Sequence, residues 1–426
     1  METPRYQQLQ GSGTFSAPTG SFSSEFLLLR NPYWMGVLAT MGDQIEAFSQ
    51  FVSNAGIWQL RGTLEDGRTV QSDSLLQTGP TEPPYNVGFS ILEDISFGEL
   101  REEPPLTSEF PLVNCFEGSI SMQHQDWELT ISADPSMKHA QILSKQWRLP
   151  CEGLTLHCNC SGKKPADHLG IASSVMTLTS LALGTGVSSH RHILHWPSSE
   201  LETWRFMSGD ELGPGLAIPS HMLDNFISTA LPSMESLLPE QQALIRLATT
   251  YINLSERPYL DTRLLAIMQA WEFLSMAWVE KPTLPADLLC LRSRIKRLLR
   301  DWRQDHSSSD PDGFWGSRLV SALEWHSLQQ QVEEFASMWN IDLQRLGVDL
   351  TLLRRVRDSV AHTGRLPEAP SVDAESRFNL LRNARHSLRL VLLQLLGYRG
   401  LVMVSENGWK ATKRMEEALS GKYGAV

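Results

Sequence analysis

Long apolar runs are missing from this 426-residue chain. The longest near the end, LRLVLLQLLG at residues 388–397, is too short to cross a bilayer. The opening METPRYQQLQGSG has no basic cluster followed by an apolar segment, so the expectation is a cytoplasmic protein with no membrane partner. Cysteine is scarce, five in all, and an odd number predicts reduced thiols rather than a disulfide framework. Motifs whose chemistry needs fixed spacing are also absent. The chain has no GxxxxGK(S/T) loop to cradle phosphates, no HExxH, no GxSxG elbow and no GxGxxG after a strand. ATPase, zincin and dinucleotide-binding readings therefore fall, and no cofactor is expected.

Three of the cysteines, Cys151, Cys158 and Cys160, lie together in CEGLTLHCNC. With His157 and His168 they offer metal-binding atoms, but structural zinc usually takes two CxxC-like pairs. Small buried cysteines on a strand are the expected reading, and no metal site is predicted. His190, His192 and His195 in GTGVSSHRHILH have no acidic neighbour in sequence and read as an exposed strand face.

What is present is a change of charge along the chain. The net charge of −11 combines −16 over residues 1–290 with +5 over residues 291–426, where 21 Lys and Arg face 16 Asp and Glu. Phosphate neutralisation needs local positive charge, so any polyanion would meet the C-terminal part. Solvated arginines on the outside of helices would give the same pattern.

The local patterns predict an α+β protein. Residues 1–22, rich in Ser, Thr, Gly and Pro, read as a flexible arm. SEFLLLRN, GIWQLRGTL, YNVGFSIL, GSISMQ and WELTISA read as strands between turn residues, making 23–218 a β-rich domain. HLGIASSVMTLTSLALG reads as a helix closed by Gly184, with the strand HRHILHW following. From about residue 219 the apolar period becomes 3.6. Helices are predicted at 219–230, 239–254, 261–279, 286–304, 317–338, 345–362 and 373–396, so 219–426 is expected to be an all-α bundle. In the last helix Arg382, Arg385 and Arg389 lie between the apolar positions and predict a basic face. Trp302, Phe314, Trp315 and Trp325 read as core or loop anchors rather than base-stacking platforms.

Chemistry is carried by RRVRDSVAHTGRLPE, residues 354–368. On a helix, Arg357 and His362 differ by about 140° in direction and about 7.5 Å in height. Asp358 and His362, four apart, share a face, so the carboxylate would orient the imidazole. A histidine and an arginine at one helix end suit RNA cleavage by its own 2′-hydroxyl. The imidazole would move protons and the guanidinium would stabilise charge on the phosphorane. Two copies facing each other across a two-fold axis would place two such pairs around one phosphate.

LLRRVRDSVAHTG resembles the signature of the HEPN superfamily, in which Arg, a polar residue, three more residues and His close a helix. YLDTRLLAIMQAWEFLS, residues 259–275, resembles the first long helix of that fold, with Glu272 as its acidic residue. FNLLRNARHSLRLVLLQLL resembles the closing helix. A β-rich N-terminal region, with VMTLTSLALGTGVSSHRHILHW at its end, is similar to that of ApeA-type HEPN proteins of bacteria, which include anti-phage defence proteins. The resemblance implies a metal-independent endoribonuclease acting as a homodimer in abortive infection, with a phage-derived trigger sensed by the N-terminal domain. It implies Arg357 and His362 as the catalytic pair, with Asp358 beside the arginine. Arg354, Arg355 and Arg385 would hold the RNA backbone. The competing reading is a non-catalytic interaction or regulatory protein in which Arg357 is a structural partner of Asp358 or Glu272.

Overall fold

The computed structural model describes residues 7–18, 20–31, 34–42, 56–80, 85–115, 117–132, 152–205, 216–254, 260–280, 286–305, 328–363, 374–406 and 409–421. The chain forms two compact units. Unit 1 is Met1–Ser236 with Leu396–Met403, and unit 2 is Leu237–Leu395 with Val404–Val426. The division thus falls at residue 236 rather than 218, and a short C-terminal segment belongs to the first unit.

Unit 1 begins with β1 (Gln7–Ala17), β2 (Gly20–Asn31), β3 (Trp34–Gly42), β4 (Ile57–Leu64), β5 (Thr69–Pro80) and β6 (Tyr85–Ile91). They run in the order β4-β1-β2-β3-β6-β5, and β4 also pairs with β5, so the six strands close into a barrel. Period-two alternation turns Phe15, Phe22, Phe26, Leu28, Trp58, Leu60 and Phe89 into one buried cluster. Phe15 lies between Phe22 and Phe89, at 4.9 and 5.0 Å between ring centroids. The barrel interior is therefore a packed core, in which each buried aromatic contributes on the order of 2 kcal/mol.

The flexible arm is corrected here, because residues 7–17 form β1, paired with both β2 and β4. Its glycines serve close approach. A Cβ on Gly13 would lie 2.7 Å from the Arg61 carbonyl oxygen, and one on Gly62 would lie 2.5 Å from that of Ser12. Composition alone gave flexibility where the barrel needs room for the backbone.

Seven further strands extend the sheet beyond β5: β7 (Asp94–Gly98), β8 (Thr107–Val113), β9 (Ile120–His124), β10 (Trp127–Ser132), β11 (Glu152–Asn159), β12 (Arg191–Trp196) and β13 (Ser199–Arg205). Their order is β7-β13-β12-β8-β11-β10-β9. Helix α1 (Pro165–Leu183) starts on a proline at its first turn and ends at Gly184, whose φ of 62° is left-handed. Helix α2 (Leu223–Ser236) lies against β9, where Asp224 accepts the Ser121 N–H at 3.0 Å.

Unit 2 contains α3 (Pro239–Leu254), α4 (Leu260–Trp278), α5 (Ala286–Asp305), α6 (Leu328–Met338), α7 (Leu350–Thr363) and α8 (Ala374–Leu395). The expectation of an all-α C-terminal bundle is overturned. β14 (Leu401–Glu406) and β15 (Trp409–Arg414) form a two-stranded sheet, followed by α9 (Met415–Ala418). Val402 and Val404 are buried while Leu401 and Met403 are not, a period of two in a stretch too short to compete with the strong helical period before it. The Asn407-Gly408 dipeptide between the strands is the sequence signal for a hairpin.

Candidate functional site

Helix α7 carries the Arg/His motif. Its start is fixed by Asp349, whose carboxylate accepts the Leu352 N–H at 2.9 Å. Leu353 and Val356 are buried, so the helix is anchored by one apolar stripe, and Arg354 and Arg355 are exposed on the opposite side. Arg357 sits at the boundary. Helix α4 supplies the facing acid: Leu264, Ile267, Met268, Trp271 and Leu274 are buried, and the Trp271 indole N–H donates to the Ala384 carbonyl of α8 at 3.2 Å. This holds Glu272 beside Arg357.

The Arg357 guanidinium is forked between two carboxylates. Nη2 donates to both Glu272 oxygens at 3.1 and 3.3 Å, and Nη1 donates to Asp358 Oδ1 at 3.0 Å. Asp358 also lies 3.8 Å from Arg354 Nε. The Asp358 hydrogen bond, aided by Glu272, raises Arg357 above its already high ordinary value, so the cation is fixed in place. Its side chain is 31% exposed, against 25% for Glu272, so the pair is only partly buried.

The sequence placed these residues unevenly. Glu272 and Asp358 both meet Arg357, and Asp358 lies near Arg354 as well. His362 lies within α7, and its side chain is outside the described residues, as are Phe314, Trp315, Trp325 and Cys151. Trp302 is partly exposed rather than a core anchor. Arg385 is corrected as an RNA contact, because it is buried, as is Arg389. The predicted basic face of α8 is not a solvated one. Neighbouring His386 is also buried, and burial, with Arg389, Arg385 and Arg382 beside it, pushes its pKa down to about 3. The helical period located the stripe, but α8 is enclosed on more than one side.

Unit 1 holds polar groups that sequence did not connect. His195 has acids after all: its Nε2 is 3.5 Å from Glu109 on β8, and its Nδ1 is 3.8 Å from Glu200 on β13. His157 on β11 approaches the same Glu109 at 3.7 Å. Glu200 is five residues from His195 across the β12–β13 turn, whereas strand register brought Glu109 to His157 and His195 across about 50 to 90 residues of chain, which adjacency in sequence never shows. His192 is not on an exposed face but buried, stacked on Phe110 at 5.9 Å between centroids, and burial pushes its pKa down to about 3. Cys158 is buried on the opposite face of β11 from His157, and burial pushes its thiol up to about 12. His168 faces Ser108, with Nδ1 2.8 Å from Oγ. Among the described residues, no group of three or more His, Cys, Asp or Glu is placed to hold a metal ion.

Among the described residues no helix is long and apolar enough to cross a membrane. No family model, no curated protein and no solved structure matches the chain.

Proposed function

We propose that the chain is a HEPN-type, metal-independent endoribonuclease of bacterial anti-phage defence, cutting RNA in a homodimer, with the β-rich N-terminal region sensing a phage-derived trigger. The observation that carries this reading is Arg357, held by Glu272 and Asp358 yet 31% exposed, next to exposed Arg354 and Arg355. The 2′-hydroxyl would attack phosphorus while the 5′-oxygen leaves. Arg357 stabilises the charge growing on the equatorial oxygens, and His362 moves the proton of the attacking or leaving oxygen. Asp358, engaged by two arginines, positions the guanidinium. Two carboxylates beside a phosphate site add repulsion, so an arriving phosphate displaces at least one of them from Arg357.

The second reading is a non-catalytic interaction protein. It is favoured by the same guanidinium, whose carboxylate partners on two sides are what a structural ion pair requires. Incubating the full chain with total bacterial RNA in EDTA separates the two. The ribonuclease reading expects fragments with cyclic phosphate ends, and a loss of roughly a hundredfold or more in His362→Ala. RNA left intact by the parent, or cleaved equally by the variant, would favour the interaction protein.

A further inference from the structure

Glu272 and Arg357 come from different helices, α4 and α7, and their contact neutralises the cation that the ribonuclease reading assigns to RNA. Bidentate recognition of a phosphate uses two parallel N–H donors of one guanidinium. Here both terminal nitrogens already donate to carboxylates, Nη2 to Glu272 and Nη1 to Asp358. One cation thus faces two anions, and Arg354, 3.8 Å from Asp358, offsets only that one. A phosphate approaching Arg357 meets a site already held by like charge. The two carboxylates differ in how readily they leave. Asp358 is the next residue on the same helix, with a short side chain and a second arginine beside it. Glu272 has one more side-chain torsion, is a quarter exposed, and has Arg357 as its only cationic partner among the described residues. Neighbouring Trp271 is fully buried and tied to Ala384, so α4 stays in place while rotation of the Glu272 side chain carries its carboxylate into water.

We propose that Glu272 is an autoinhibitory contact, a carboxylate that occupies Arg357 in the resting protein and has to be displaced before an RNA phosphate takes its place. The inference rests on the reading of Arg357 as a phosphate-binding group and adds a direction to it: removing the Glu272 charge strengthens RNA binding. A carboxylate that only orients Arg357 has the opposite sign, because its loss lets the guanidinium turn away from the phosphate. A purely structural ion pair changes stability and leaves binding as it was.

Fluorescence anisotropy of a fluorescein-labelled single-stranded oligoribonucleotide, titrated in EDTA with the full chain, tests the proposal. Every protein in the series carries His362→Ala, so that the probe stays intact. Glu272→Gln keeps the shape of the side chain and removes its charge, and is expected to tighten binding at least about threefold at low salt, by a factor that shrinks as salt rises. In an Arg357→Gln background the same substitution should change binding by less than about twofold, because Glu272 acts through that guanidinium. Glu333→Gln, at an exposed carboxylate on α6, should also stay within about twofold, which separates release of Arg357 from a general gain of positive charge. The proposal is overturned by binding unchanged or weakened in Glu272→Gln, by an equal gain in the Arg357→Gln background, or by an equal gain in Glu333→Gln. A probe that binds none of the proteins overturns it as well. Cleavage by the unsubstituted chain is read separately: fragments without the gain in binding leave the ribonuclease reading standing alone, and the gain without fragments leaves the contact standing without the ribonuclease.

Discussion

Acid should loosen unit 1 through His168. This residue lies in the first turn of α1 with its side chain fully buried, its ring edge-on to Trp127 at 4.7 Å between centroids. Nδ1 shares a hydrogen bond with the Ser108 hydroxyl, and Nε2 is buried without a partner among the described residues. Burial leaves a proton on that nitrogen uncompensated and pushes the pKa down to about 4, with Asp167 opposing only in part. In the unfolded chain the same group titrates near about 6.5. The unfolded state therefore binds the proton first, so stability is fully present above pH 6.5 and falls as pH drops towards 4. The separation of about 2.5 pH units corresponds to about 2 kcal/mol lost by pH 5 and about 3 kcal/mol below pH 4. The perturbation is His168→Asn, which keeps a polar atom facing Ser108 and removes the titration. Urea unfolding of parent and variant, followed by tryptophan fluorescence between pH 4 and 8, gives the assay. The variant should be less stable at pH 8 because the lost ring leaves a cavity, and the two curves should converge below pH 6. Parallel curves across that range would refute the reasoning, since His192 and every other titrating group are common to both proteins.

Gly13→Ala should cost about 1–3 kcal/mol and lower the melting temperature, because the new methyl group meets the Arg61 carbonyl at 2.7 Å where β1 closes the barrel onto β4. Glu272→Gln should cost at most about 1 kcal/mol in thermal unfolding, since both members of the Arg357 pair are partly exposed. A larger loss would mark the pair as structural. Of the four described cysteines, exposed Cys290 should react with a thiol reagent in the folded protein, whereas Cys115 and Cys158, buried and pushed up to about 12, should react only on unfolding.

The sequence by itself determined most of the elements. Helices α3, α4, α5 and α8 lie within a residue or two of the spans that apolar period and capping residues gave, because a helix face repeats within one segment and needs no distant partner. The end of α1 was legible in Gly184 for the same local reason. Arg357 and Asp358 could be singled out because both lie on one helix. The tertiary structure decided the rest. Closure of the barrel depends on β4 meeting both β1 and β5, and glycines that composition reads as slack become the points where backbones touch. Glu109, His157 and His195 converge only through strand register. Arg385 and Arg389 are polar by sequence and buried by position, since a helix wheel shows which residues share a face but not how many faces are covered. Periodicity is a property of one segment, whereas burial belongs to all the segments packed around it.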